Sequence, residues 1–108
     1  MKISDDQCEA AMDFLRDNAA PAGQAKADRM YLDDYSKSLI ALLMTERALD
    51  SLGAQERYAR AHPKFLQHLE GLKVAIAEDE KQKYLMEAAK VKIDVWRSLQ
   101  ARERAGLP

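Results

Sequence analysis

At 108 residues the chain has the length of one small domain, and much of its 47% hydrophobic content is alanine, which limits the core it can build alone. A charged fraction of 32% with only 6% aromatics fits a helix-rich composition and argues against a β protein. A net charge of −1 excludes whole-molecule attraction to nucleic acid or an anionic membrane, and a single cysteine, Cys8, excludes an internal disulfide and a cysteine-rich metal site.

The first helix is predicted over residues 5–19. Ser4 is its cap, Asp5 and Asp6 face the positive end of its dipole, and Gln7 stands where its amide can return a bond to the Ser4 N–H. Cys8, Ala11, Met12, Phe14 and Leu15 form its apolar stripe, and Asn18 to Gly23, with Pro21 inside, is predicted to break it. A second helix is expected over 22–51, with a heptad seam of Leu32, Tyr35, Leu39, Leu42, Glu46 and Leu49 and with Gly53 as the glycine past its end. Residues 55–61 read as a short helix, with His62 as a joint before Pro63. The last helix is predicted over 63–104, starting at Pro63. Its stripe runs through Leu66, Leu69, Leu72 and Ile76, with Phe65 beside them, and resumes at Tyr84, Ala88, Val91, Val95 and Leu99 after the polar segment Glu78–Lys83. Asp79 and Lys83 are placed for an i, i+4 pair, and Gly106 and Pro108 are expected to fray.

The spans from Gln24 to Leu52 and from Leu72 to Ala105 contain neither glycine nor proline. As helices they would extend about 43 and 51 Å, against a radius of gyration of about 13 Å for a compact domain of this length. The expected fold is therefore all-α, a single domain over residues 1–108: an elongated antiparallel hairpin of two long helices with a short N-terminal helix. A hairpin leaves one side of each rod uncovered, so a homo-oligomer is expected. Ile40, Leu43, Met44, Val95 and Trp96 are the candidate partner surface. No segment has the roughly eighteen apolar residues of a membrane span, the longest apolar run being Leu39–Met44, and no signal-peptide pattern follows Met1. A cytoplasmic protein is expected.

No catalytic constellation is visible. His62 and His68 lie six apart and share no face, Glu70 adds no ligand spacing, and no Glu-x-x-His pair occurs, so neither a metal nor another cofactor is expected. Asp33-Asp34 and Glu78-Asp79-Glu80 read as solvated faces, and Cys8 as a buried apolar residue. Charge is unevenly spread, however: residues 81–108 hold seven Lys/Arg against three Asp/Glu, whereas residues 1–80 hold ten against fifteen. Lys90, Arg97 and Arg104 recur every seven residues, and with Trp96 they form the candidate contact for single-stranded nucleic acid, positive charge tracking phosphates and an aromatic stacking on bases.

The phrases Ala25-Lys-Ala-Asp-Arg-Met-Tyr-Leu-Asp-Asp-Tyr35-Ser-Lys37, Ala54-Gln-Glu-Arg57, Ala61-His-Pro63 and Ile93-Asp-Val-Trp-Arg97-Ser span most of the chain. They resemble a group of uncharacterised small helical phage and prophage proteins encoded among recombination and replication genes. That resemblance implies a bacterial host cell and an accessory role in phage DNA metabolism, and it carries no catalytic residues across. The expected function is non-enzymatic, through protein–protein interaction in DNA recombination or replication. Direct binding of single-stranded DNA is one alternative. Inhibition of a host defence or nuclease complex is the other, with the acidic residues 1–34 (eight Asp/Glu, four Lys/Arg) imitating nucleic acid.

Overall fold

The computed structural model describes residues 2–106; Pro108 lies outside them. The protein is all-α: helix α1 (Asp5–Met44), a 3-10 turn (Thr45–Arg47), helix α2 (Leu52–Ala61) and helix α3 (Pro63–Arg104), with no strand among the described residues. The chain divides into two units. One takes residues up to Gly23 and from Glu80 onward; the other is Gln24–Asp79.

The start of α1 is the reciprocal cap that its sequence encodes. The Gln7 N–H donates to Ser4 Oγ at 3.1 Å, and the Ser4 N–H donates to Gln7 Oε1 at 2.8 Å. The break expected at Asn18–Gly23 does not occur, and α1 runs through Pro21. An interior proline removes one backbone bond and costs about 3 kcal/mol. Here its ring lies on the exposed side, while Asn18 and Ala22 are half-buried on the inner side and Ala19, Ala20 and Ala22 favour helix. Packing on both sides of the proline outweighs the local break. At the other end, α1 stops at Met44, seven residues short of the expected Ser51. The Thr45 hydroxyl donates to the Leu42 carbonyl at 2.6 Å, and Gln55 Nε2 reaches the Asp50 carbonyl at 2.9 Å, so side chains satisfy the turn's carbonyls. Ser51 caps α2 by accepting from the Ala54 N–H at 3.3 Å, which places Gly53 inside the first turn of α2 and not beyond the end of a longer helix.

His62 closes α2 in an extended conformation (φ −67°, ψ 137°), and its Nδ1 accepts from the Lys64 N–H at 3.0 Å, capping the start of α3. α3 then continues without interruption through the polar Glu78–Lys83 segment to Arg104. Gly106 takes φ 69°, a conformation favouring glycine, and its N–H bonds the Glu103 carbonyl, so an ordered turn follows the helix where fraying was expected.

Covered positions on both long helices alternate steps of three and four residues. In the second unit they are Ala25, Arg29, Leu32, Ser36, Leu39 and Leu43 of α1 with Phe65, His68, Leu72, Ala75 and Asp79 of α3. In the first they are Cys8, Ala11, Leu15, Asn18 and Ala22 of α1 with Gln82, Met86, Ala89, Ile93, Trp96 and Gln100 of α3. This seam shares Leu32, Leu39, Phe65 and Leu72 with the expected apolar residues, but its register differs. Tyr35, Leu42, Leu66, Leu69, Ile76, Tyr84 and Val91 are exposed, and Glu46 lies in the 3-10 turn.

The reason for the other register lies in the polar members of the seam. Asp79 is 1% exposed, not on a solvated face as expected, and its Oδ2 stands 3.0 Å from Arg29 Nε; Lys83 lies 3.5 Å from Glu80. Ser36 meets His68 at 2.7 Å. Turning either helix to bury the larger aliphatics would pull these partners apart and leave a charge uncompensated. At one end of the second unit, Leu39, Leu43, Ala59 and Phe65 form an apolar cluster with Ile40 and Met44 packed on it. α2 thus supplies, through fully buried Ala59, the cover for which a second subunit was expected.

Removing Arg29 weakens the compensation of a buried carboxylate, so Arg29→Ala should lower unfolding free energy, by at most about 3 kcal/mol. The double variant Arg29→Met/Asp79→Leu should recover most of that loss. Urea denaturation followed by circular dichroism measures both.

Candidate functional site

The residues with chemical potential fall into two clusters of the second unit and a third set divided between the units. In the second unit, Ser36 Oγ donates to the Leu32 carbonyl at 3.2 Å and lies 2.7 Å from His68 Nε2. Tyr35 meets the His68 ring edge-on at 5.5 Å and stacks on Tyr31 at 6.3 Å. The expectation of a solvated His68 is corrected: the ring is half-buried and bonded. A serine and a histidine at this distance have the spacing of a nucleophile and its base. The Ser36 hydroxyl is shared with a backbone carbonyl, and which of Ser36 and His68 donates depends on the imidazole tautomer. Both residues sit in mid-helix, where backbone N–H groups are taken by the helix and form no oxyanion hole. The arrangement is a polar tie between two helices. The 32 residues separating the partners left no trace in local spacing.

The second cluster surrounds Glu46. Tyr58 Oη donates to Glu46 Oε2 at 2.5 Å, and His62 Nε2 lies 3.7 Å from the same oxygen. Arg47 stands over the Tyr58 ring at 4.7 Å, and Tyr58 meets His62 edge-on. The hydrogen bond to Glu46, first, then burial and the carboxylate's charge hold the Tyr58 phenol above its ordinary value of 10.0; Arg47 pulls weakly the other way. These contacts knit the 3-10 turn to α2 and to the start of α3. Among the described residues there is no group of three or more His, Cys, Asp or Glu side chains that could hold a metal ion.

The third cluster concerns the expected partner and nucleic-acid residues. Leu43 is 4% exposed inside the apolar cluster of the second unit, and Ile40 and Met44, both half-buried, pack on it. In the first unit, Val95 is half-buried. Trp96 is also half-buried, its Nε1–H donating to Asp5 Oδ1 at 2.8 Å. Lys90, Arg97 and Arg104 are exposed, and Arg97 lies 3.9 Å from Asp94. The basic residues are therefore accessible, but the tryptophan expected to stack between bases is engaged with α1. Cys8 is buried in the same unit.

Part of the exposed apolar surface consists of residues assigned to the interior by sequence pattern, Leu66, Leu69 and Ile76 among them. In the second unit, Met30, Leu66, Leu69 and Ile76 are all exposed, and Met30 and Ile76 line a shallow depression of about 310 Å³ with Arg29, Asp33 and Leu72. A groove of larger volume, about 410 Å³, lies between Ala25, Asp28, Tyr31 and Leu32 of α1 and Gly71, Val74, Ala75 and Glu78 of α3. In the first unit, Gln7, Ala10, Ala11 and Phe14 face Leu85, Ala88, Ala89 and Lys92 across a groove of about 340 Å³. No helix is long and apolar enough to cross a membrane among the described residues. The chain matches no protein-family model, no curated protein and no solved structure.

Two outcomes follow. Because the Tyr58 pKa is raised, the Tyr58–Glu46 bond should contribute fully up to the ordinary phenol value near pH 10.0 and be lost as pH climbs through the higher folded-state value. Phenolate absorbance, read as wild type minus Tyr58→Phe, should report that late titration, and Glu46→Gln should return it toward the ordinary value. Adding single-stranded oligonucleotide at low salt should leave Trp96 fluorescence unchanged while its bond to Asp5 persists; a quench reversed by salt would favour direct DNA contact.

Proposed function

We propose that this chain is a non-enzymatic, self-associating helical accessory protein that binds another protein in phage DNA recombination or replication, within a bacterial host cell. In this reading α1 and α3 form an antiparallel hairpin whose flanks are the working surface. One observation carries the interaction role: the inner seam of the second unit admits Arg29, Ser36, His68 and Asp79 among its apolar residues, while Leu66, Leu69, Ile76, Met30, Tyr31 and Val74 are left exposed. Apolar side chains of that size, grouped on helix flanks, support protein contacts. The setting in phage DNA metabolism rests on the resemblance of residues 25–37, 54–57, 61–63 and 93–98 described above.

The row Leu66, Leu69, Ile76 beside Met30 suits a partner's amphipathic helix, since its steps along α3 are those of one helix face. Cross-linked capture from infected cells, with wild type beside Leu69→Asp/Ile76→Asp, provides the test. An annealing, single-strand-binding or helicase protein recovered by wild type, and at least tenfold depleted with the double variant, is the expected result; tenfold corresponds to about 1.4 kcal/mol of lost affinity. Equal recovery by both proteins, or recovery of no DNA-metabolism protein, would overturn the reading.

A further inference from the structure

Within the first unit the two helices carry opposite charge. Residues 2–23 hold five Asp/Glu against two Lys/Arg, a net of −3, while residues 80–106 hold seven Lys/Arg against four Asp/Glu, a net of +3. Between them runs the groove of about 340 Å³, floored by alanines and bordered by Gln7, Phe14, Leu85 and Lys92. Phe14 is half-buried, Leu85 is 42% exposed, and Gln7, Ala10, Ala88 and Lys92 are exposed. The Trp96–Asp5 bond fixes the register. Counted away from it along each helix, the groove passes Gln7 with Lys92, then Ala10 with Ala88, then Phe14 with Leu85.

We propose that two copies of this chain pair through this groove, about a two-fold axis running along it, so that the α1 segment of each copy lies against the α3 segment of the other. A two-fold contact needs one patch complementary to itself, and this groove is one. An axis along the helices leaves every level unchanged, so Phe14 of one copy meets Leu85 of the other, Ala10 meets Ala88, and Gln7 meets Lys92, each contact occurring twice. The alanines allow the helix axes to approach closely, since their separation follows the size of the side chains between them. The aromatic ring and the leucine close one end of the contact. Over the first unit the product is a four-helix bundle.

Charge selects both the occupant and its orientation. Around such a bundle acidic and basic helices alternate, and each has two neighbours of opposite sign. The other two-fold arrangement, α1 on α1 and α3 on α3, would bring −3 against −3 and +3 against +3. It would also set Phe14 on Gln7 and Leu85 on Lys92, an apolar group on a polar one. A groove with one acidic and one basic wall fits a surface of the reverse order, and a second copy turned about the axis presents that surface.

This inference deepens the self-association named above and rests on it, so the experiment separates the two. Sedimentation of pure wild type is expected to give a dimer at micromolar concentration, weakened as salt screens the opposed helices. Lys92→Glu sets an acid against the acidic helix twice, and should raise the dimer dissociation constant about tenfold or more. Gln7→Glu keeps the Ser4 cap and should lower that constant. Ala10→Trp fills the groove from an exposed position and should abolish pairing while helicity, read by circular dichroism, is unchanged. Leu69→Asp/Ile76→Asp, in the second unit, should leave the dimer intact.

Under mild oxidation Ala10→Cys and Ala88→Cys should each cross-link poorly alone and efficiently when mixed; wild type with buried Cys8 is the control. A dimer in which Ala10→Cys cross-links to itself, or one that tolerates both Ala10→Trp and Lys92→Glu, overturns this contact and leaves self-association standing. A monomer at the highest attainable concentration overturns both, while capture of a DNA-metabolism protein through Leu69 and Ile76 would still uphold the partner reading.

Discussion

The contact between Arg29 and the buried carboxylate of Asp79, 3.0 Å apart, governs which way the long helices turn in the second unit. A charge inside an apolar environment is tolerated only with its partner in place. Once that pair occupies the seam, every neighbour at a step of three or four is drawn inward with it. Those neighbours are Ala25, Leu32, Ser36, Leu72, Ala75 and His68, a mixture of leucine, alanine and polar side chains. The large aliphatics Leu66, Leu69 and Ile76, one position or more off this register, face outward. Exposure of apolar flanks follows directly from burial of a polar pair.

Satisfaction of polar groups recurs throughout the chain. The hydroxyl of Ser36 serves two partners, the imidazole of His62 caps one helix while reaching toward Glu46, and Gln55 answers carbonyls of the turn before it. Each bond ties elements distant in sequence or stitches a turn to the next helix. In place of a large apolar core, the chain uses one small cluster around Leu43, Ala59 and Phe65, with polar ties elsewhere. Bulky side chains such as Leu66, Leu69 and Ile76 lie outside these ties and are exposed.

Helix identity, the Ser4–Gln7 cap, the joint at His62 and the Pro63 start of α3 were legible because each depends on residues within a turn or two of one another. The all-α character was legible for the same reason, being a sum of local preferences. Three expectations failed where distant packing overrode a local signal. Pro21 reads as a break, but its ring lies on the solvent side of a helix packed on both sides of it. Leu42 and Leu49 read as seam, but Arg29, Ser36 and their partners hold α1 in another rotation. Leu43 and Met44 read as a surface for a second chain, but α2 and Phe65 cover them from within.

What the sequence determined by itself is the kind and order of elements, since capping, propensity and spacing act over a few residues. Which side of each helix turns inward was decided only by the tertiary structure. Two rows a single position apart differ by about 100° on a helix, and the choice between them rests on Asp79 finding Arg29 and Ser36 finding His68 across 50 and 32 residues of intervening chain. No local pattern encodes a meeting at that range; the free energy of an unpaired buried charge does.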